Sequence, residues 1–309
     1  MLDVRRMRVL REVAVRGSFS AAAESLSFTQ SAISQQIAAL ERETGAKLVQ
    51  RNARGVRLTE AGEALVRHTD AIIARLAEAE AELAAIAGLR GGRLRLASFE
   101  SAAATLMPLA IAAFREKHPG VELSLILGEP EDTLPLLKSG EIDLALGFDS
   151  RIRDEVDGIA RAHMLSDPMF LVLPNDHPLA HKRNVRLADL ADDPWIAGTS
   201  DCECNRLINR ACAIAGFEPR FAFQTDDYTA MQGFVAAGVG VSLIAELGLT
   251  SIRDDIVVRP LGRETPIRQI FAATLAGGHR SPATQAMLDC LMDVAAHYEA
   301  RRPQLQLVG

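Results

Sequence analysis

Two groups of side chains near the front of the chain have types and spacing suited to chemistry on a nucleic acid. Ser31, Ser34, Gln35, Ala38 and Arg42 fall on one side of a helical pattern, opposite Ile33, Ile37 and Leu40. That outward face is small and carries hydroxyls and an amide. Such groups both donate and accept hydrogen bonds, so they can meet base edges in a major groove ~12 Å wide. The second group is the basic run Arg51-Asn52-Ala53-Arg54-Gly55-Val56-Arg57-Leu58-Thr59. It reads as a hairpin with glycine at its tip. An arginine held there can lie in a neighbouring minor groove, where the potential is most negative. None of this is covalent chemistry; it is recognition.

The elements that must hold these groups are legible from caps and periodicity. Ser18 or Ser20 can cap a helix over Ala21 to about Ser25, and Thr29 can cap a second from Gln30 to about Thr44, stopped by Gly45. The short gap between them is that of a helix-turn-helix. From Thr59 a long helix follows, with Gly62/Leu65, Thr69/Ile72, Leu76/Ala79 and Leu83/Ile86 at heptad core positions. About 28 residues would reach roughly 42 Å. Its seam holds Gly, Thr and Ala, so it suits a helix packed on a symmetry mate better than an isolated coiled coil. Gly88, Gly91 and Gly92 then break the pattern.

Beyond the break, apolar strands alternate with helices. Strands are expected at Arg93–Ala97, Val121–Leu127, Ile142–Leu146, Phe170–Leu173, Phe221–Phe223, Val239–Ile244 and Ile267–Leu275. Helices are expected near Ala103–Lys117, Asp132–Lys138, Asn205–Ala215 and Tyr228–Ala237, with a last one opened by Ser281-Pro282. The βαβαβ order implies parallel pairing, two α/β lobes, and a cleft outside the strand ends where ligands sit.

Composition bounds the alternatives. The 309 residues are 48% hydrophobic and 24% charged, an ordinary globular balance. Net charge is −6, yet the first sixty residues hold ten basic and six acidic groups, against 24 basic and 34 acidic in the rest. A basic head on an acidic body suits a small module meeting phosphate while the body stays off it. No apolar run approaches the ~18–20 residues of a membrane span, and the front of the chain lacks a signal-type apolar region, so a cytoplasmic protein is expected. Four cysteines make no disulfide scaffold.

Enzyme readings find little support. No nucleophile elbow, P-loop or HExxH pattern is present, and the seven histidines are scattered. Gly238-Val239-Gly240 precedes a strand, whereas a dinucleotide loop follows one; it reads as a helix stop. No catalytic residue, metal site or cofactor is expected. The competing hypothesis is a solute-binding or catalytic α/β protein whose helical head only dimerises; the basic hairpin speaks against it.

The sequence resembles the LysR-type transcriptional regulators over essentially its whole length. The resemblance rests on Gly17-Ser18-Phe19-Ser20-Ala21-Ala22-Ala23, Leu26, Gln30-Ser31-Ala32-Ile33-Ser34-Gln35-Gln36-Ile37 and Leu40-Glu41. It continues through Arg51 and Arg54-Gly55-Val56-Arg57-Leu58-Thr59 to Ala61-Gly62, then Gly140-Glu141-Ile142-Asp143-Leu144-Ala145 and His177-Pro178-Leu179-Ala180.

What this implies is an α/β protein with an all-α winged helix-turn-helix head, a long linker helix and a two-lobed periplasmic-binding-protein-like effector domain. The implied boundaries are 1–58 for the head, 59–88 for the dimerising linker and 89–92 for a hinge. Lobe I would comprise 93–163 with 266–309, and lobe II 164–265. Ser20, Thr29, Gln30, Ser31, Ser34, Gln35, Arg51, Arg54 and Arg57 would form the DNA-binding set, with Arg54 as the minor-groove residue. The implied partners are double-stranded DNA, a small-molecule effector, further copies of the chain (a dimer through the linker, then a tetramer) and RNA polymerase. Two positions depart from the family's habit. Val49 stands where Phe is frequent, and Gln35 where Arg is frequent; Gln matches adenine better than guanine.

The effector cleft maps by resemblance to Ser98, Phe99, Glu100 and Ser101, faced by Gly128, Glu129, Thr199, Ser200, Asp201, Cys202, Thr225 and Asp226. Many relatives hold a carboxylate there. Glu100, Glu129, Asp201 and Asp226 make this region acidic, which points instead to an amine or other cation; the alternative is that these acids face solvent or cap helices, Asp226 being a good N-cap. Cys202, Cys204 and Cys212 lie where peroxide-sensing relatives keep a reactive pair, but at different spacing, so redox sensing stands as a second hypothesis and Cys290 as core.

Overall fold

A computed structural model describes residues 2–52, 55–86, 92–182, 184–199, 202–277 and 280–302. The chain divides into two compact units, Met1–Leu83 with Lys138–Glu141, and Ala84–Leu137 with Ile142–Gly309.

The first unit opens with a helix the sequence reading had not resolved, α1 (Val4–Arg16). Asp3 caps it, and Gly17 ends it in the left-handed region at φ 62°, where glycine is free of strain. Then come α2 (Phe19–Ser25) and α3 (Gln30–Thr44). Ser18, not Ser20, caps α2, and Thr29 caps α3, its hydroxyl accepting from the Ala32 N–H at 3.2 Å. Gly45 stops α3 at φ 69°. Replacing Thr29 by Ala should cost about 1 kcal/mol, read as a lower urea midpoint of the isolated transition followed by helical circular dichroism.

Strands β1 (Val49–Asn52) and β2 (Gly55–Leu58) pair antiparallel, Gln50 opposite Arg57. Helix α4 (Glu60–Ile86) then runs on without a break. The core gathers Met7, Leu10 and Val13 of α1, Phe19 and Ala22 of α2, Ile33, Ile37 and Leu40 of α3, and Leu48 and Leu65. Of the heptad positions on α4, Leu65 belongs to this core, whereas Ile72, Leu76 and Leu83 are exposed.

The second unit follows the expected alternation: β3 (Arg93–Ser98), α5 (Glu100–Lys117), β4 (Glu122–Leu127), α6 (Pro130–Lys138) and β5 (Leu144–Asp149). Strands β4, β3 and β5 pair in parallel, in that order. After β6 (Glu155–Val156) comes β7 (Ile159–Pro174), a 16-residue strand of which the sequence had suggested only the last part. The remainder is β8 (Pro194–Ala197), α7 (Glu203–Ile214), β9 (Arg220–Gln224), α8 (Tyr228–Ala236), β10 (Val241–Ala245), β11 (Ile256–Arg259), β12 (Ile267–Leu275) and α9 (Pro282–Ala300).

The expected parallel pairing holds for these βαβ units, but the sheet as a whole is mixed. Strand β12 lies antiparallel to both β5 and the first part of β7, and β10 and β11 are antiparallel to its second part. Parallel pairing returns for β10–β8 and β8–β9. The physical reason is the length of β7: one strand long enough to serve two sheets must meet return strands from both. Two lobes result, each with its own core. Phe99, Leu106, Phe114, Leu146 and Leu291 fill the first; Leu171, Leu173, Leu190, Trp195 and Leu243 fill the second.

Candidate nucleic-acid interface and effector cleft

On α3 the buried stripe is Ile33, Ile37 and Leu40, each at most 2% exposed. Rotation by the helical period turns Gln30, Ser31 and Gln35 fully outward, with Ser34 half-buried among them. Thr29 sits at the tip, its Oγ1 also 3.0 Å from Ser31 Oγ. Ser20 and Arg57 are exposed. Gln36 is turned to another task, accepting from Arg6 Nε at 3.3 Å. Arg54 and the side chain of Arg51 lie outside the described residues. The structure thus brings Thr29, Gln30, Ser31 and Gln35 to one helix end and holds Arg57 on the hairpin.

The segments expected to line an effector cleft come from both lobes of the second unit. Ser98 and Phe99 are buried and build the wall: Ser98 Oγ donates to the Phe99 carbonyl at 3.1 Å, and Phe99 packs edge-to-face on Phe148 at 4.9 Å. Glu100 opens α5, and Ser101 is 2% exposed. The Gly128 N–H donates to the Ser98 carbonyl at 3.1 Å, which sets Glu129 beside this segment. The Glu129 carbonyl caps α6, accepting from the Asp132 and Thr133 N–H groups, while its side-chain Oε2 is buried with no hydrogen-bond partner among the described residues.

On the second lobe Thr199 donates its N–H to Asp226 Oδ1 at 2.7 Å and its hydroxyl to Asp226 Oδ2. Asp226 therefore ties two loops together and is not the cap expected of it. The cap of α8 is Asp227, accepting from the Thr229 and Ala230 N–H groups at 2.7 and 3.0 Å. Thr225 Oγ1 accepts from the Asp227 N–H at 3.3 Å. Cys202 caps α7, its sulfur accepting from the Asn205 N–H at 3.4 Å. Ser200 and Asp201 lie outside the described residues.

Between these walls lies a cluster that the sequence reading missed. Arg268 of β12 and Asp167 of β7 are cross-strand partners and both fully buried, with contacts of 2.5 and 3.1 Å. Arg268 also donates to Ser101 Oγ at 3.0 Å, to the Tyr228 hydroxyl at 3.3 Å and to Cys204 sulfur at 3.5 Å. Its guanidinium stands 5.3 and 4.8 Å from the Phe99 and Phe148 ring centres. A signal was available: Arg268 has the same parity as buried Ile270 and Ala272 on β12, so a charge at an inward position demanded a partner.

Electrostatics distinguish the cleft acids. Burial pushes Glu129 up to about 7; Arg268 opposes this, and Glu131, Asp226 and Asp132 add to it. Glu100 is raised by burial and by Asp227 and Asp226. A folded carboxyl near 7 keeps a proton that the unfolded chain, near 4.5, has given up. Its contribution therefore favours the fold at low pH and is lost as pH rises through that window. Glu129→Gln should flatten the fall in melting temperature between pH 5 and 7, an effect of about a few degrees at most.

The thiols lie in surroundings that disfavour the thiolate, with Arg268 opposing this at Cys204. Burial raises Cys202 and pushes Cys204 and Cys212 up to about 12. The thiolate, not the thiol, is the nucleophile toward peroxide, and burial disfavours it at all three.

A capped recognition helix beside a β-hairpin, followed by two α/β lobes around a cleft, defines a DNA-binding transcription regulator with an effector-binding domain. Family models agree: residues 4–63 match "Bacterial regulatory helix-turn-helix protein, lysR family" and residues 87–296 match "LysR substrate binding domain". The chain belongs to the LysR family, whose members are regulators and not enzymes. It is 30% identical over 97% of its length, and 99% of the relative's, to the probable HTH-type transcriptional regulator LrrA of Synechococcus elongatus. A RuBisCO operon transcriptional regulator of Allochromatium vinosum is 30% identical over the same shares. In fold it is similar to a full-length OxyR variant from Pseudomonas aeruginosa, with TM-score 0.65 and 20% identity, covering 94% of this chain and 98% of that one. It is also similar to full-length CbnR in complex with its target DNA, with TM-score 0.59 and 23% identity, covering 95% and 100%. No helix among the described residues is long and apolar enough to cross a membrane.

Proposed function

We propose that this regulator reads operator DNA with Gln30, Ser31, Ser34 and Gln35 at the front of α3, steadied by Ser20, Thr29 and the arginines Arg51, Arg54 and Arg57 of the β1–β2 wing. The observation that carries the reading is the outward polar face of α3 over a stripe buried to 2% exposure or less. A helix so presented turns amide and hydroxyl groups to its open side, and the base edges of a major groove offer matching donors and acceptors.

Exposed Ile72, Leu76 and Leu83 on α4 support a homodimer through the linker helix, with tetramers built from such dimers. The division into 1–58, 59–88, 89–92, 93–163 with 266–309, and 164–265 is the domain plan we adopt. The second part of the proposal is that a small-molecule effector binds between the lobes at Ser98–Ser101, Gly128-Glu129, Thr199–Cys202 and Thr225-Asp226. It biases one lobe arrangement only by binding it more tightly than the other. RNA polymerase is the expected third partner, in the cytoplasm.

A gel shift on the region upstream of its own gene, at stated salt, tests the reading. Arg57→Ala should weaken binding evenly across sequences and reduce the salt slope by about 1. Failure of the wild-type protein to retard any such duplex at low salt would sink the DNA assignment.

A further inference from the structure

Acceptor atoms from several elements gather here, and two of them, Asn205 Oδ1 and Glu129 Oε2, are buried with no donor among the described residues. A β-carbon built on Gly198 would stand 2.9 Å from Asp226 Oδ1, 3.4 Å from Cys202 sulfur and 3.6 Å from Asn205 Oδ1. Asn205 is only 4% exposed. Its amide nitrogen donates to the carbonyls of Gly198 and Thr199 at 2.8 and 3.1 Å, and its Oδ1 accepts from nothing among the described residues. On the first lobe Glu129 Oε2 is in the same condition. A buried acceptor left without a donor costs about 1–3 kcal/mol.

The charges point the same way. Glu129 feels Asp226 and Glu131 as like charges, and Glu100 feels Asp227 and Asp226, so acids of the two lobes face one another. The two cations nearby are already held: Arg268 by Asp167, and Arg206 by Glu203 and, from the other lobe, Glu131. Helix N-termini ordinarily draw anions. Here each nearby one has its own acid in the cap or first turn: Glu100 on α5, Glu131 and Asp132 on α6, Glu203 on α7, Asp227 on α8. A carboxylate ligand would add a like charge and would leave Asn205 Oδ1 without a donor. A positively charged N–H donor answers both.

The geometry points to a small organic cation, a primary ammonium, amidine or guanidinium, as the ligand class of this cleft, gripped by Glu129, Asp226 and the Asn205 carbonyl. This rests on the reading of the cleft as the effector site. Gly198 is what lets a donor come near Asp226 and Asn205 together. Binding would ionise Glu129 in a setting where Arg268, Glu131, Asp132, Asp226 and, across the cleft, Cys202 also act on it. Affinity for the cation should therefore rise roughly tenfold per pH unit up to about 7 and level off above.

The test uses the full-length protein, thermal shift and titration calorimetry. Benzylamine, benzamidine, putrescine and agmatine form one panel, benzoate and succinate the other. We expect members of the first panel to raise the melting temperature and alter the operator footprint. Glu129→Gln should weaken them at least about tenfold and abolish the pH slope. A melting temperature no lower than wild type for the ligand-free variant confirms that it is folded. Gly198→Ala, whose methyl crowds Asp226, should weaken them independently. Stabilisation by benzoate or succinate alone overturns the cationic assignment and leaves the effector reading standing. Amines that bind wild type and both variants equally overturn the site. Neither panel acting at millimolar concentration, with the footprint unchanged, removes the cation and the effector reading together.

Discussion

Asp167→Ala should destabilise the effector domain by about 3–5 kcal/mol, the largest single loss expected in the molecule. The substitution leaves Arg268 fully buried with its charge uncompensated. Burial works against that charge, and the Asp167 carboxylate is what offsets it and holds its pKa above the usual value. With Asp167 gone, Ser101 and Tyr228 offer only neutral oxygens. Trp195 is the sole tryptophan and is buried in the second lobe, so a urea transition read by its fluorescence follows this domain and not the head. Asp167→Leu combined with Arg268→Met should lose much less, because a buried pair replaced by apolar groups of similar volume is often near neutral. If Asp167→Ala alone shifts the midpoint no more than the double variant does, the pair is not the structural tie inferred here.

The position of the pair gives it a second consequence. Asp167 and Arg268 are register partners where β7 passes from one sheet to the other: β12 pairs with Ile159–Pro168, and β10 with Met169–Val172. Arg268 also reaches Ser101 on α5 and Tyr228 on α8, one helix from each lobe. Any shift of the lobes around a ligand must move these helices against a fixed guanidinium. The double apolar variant should thus retain stability while its operator binding responds less to ligand, a separation that a merely structural role would not produce.

What the sequence made legible follows from where local chemistry is decisive. Helix α3 was readable to the residue because Thr29 and Gly45 supply a side-chain cap and a left-handed stop, both local devices. The last helix was readable from Ser281-Pro282 for the same reason. The first part of β7 was not. Arg161, His163, Ser166 and Asp167 interrupt its apolar alternation, and their partners, Asp149, Gln269 and Arg268, lie on other strands. Strand β8 was hidden behind Asp192-Asp193-Pro194, a turn signal that the long-range pairing with β10 and β9 overrides. At the cleft, resemblance located the loops, but not the division of labour within them. The choice of Asp227 over Asp226 as the cap depends on which carboxylate the Thr199 loop claims, a contact made across 27 positions of sequence.

On the DNA side, Gln35→Ala should lower operator affinity by about 1–3 kcal/mol, roughly 5- to 150-fold, concentrated at one base pair. Gln35 is exposed one turn into α3, on the side away from Ile33 and Ile37. Its amide offers a donor and an acceptor side by side, the pair that adenine N7 and N6 present in the major groove. Loss of the amide removes discrimination without removing charge. Binding to unrelated duplexes and the slope of affinity against salt should therefore stay as in wild type. Arg57→Ala is the counterpart, because it subtracts a phosphate contact and no base information. Gln35→Arg sharpens the test: a guanidinium at that position pairs with guanine O6 and N7, so the preferred base should change from adenine to guanine, not merely weaken. Selection of operator variants by each protein, at fixed salt, measures all three. A Gln35→Ala protein that loses affinity equally for every sequence would show that the amide contacts the backbone and that another residue of α3 reads the base.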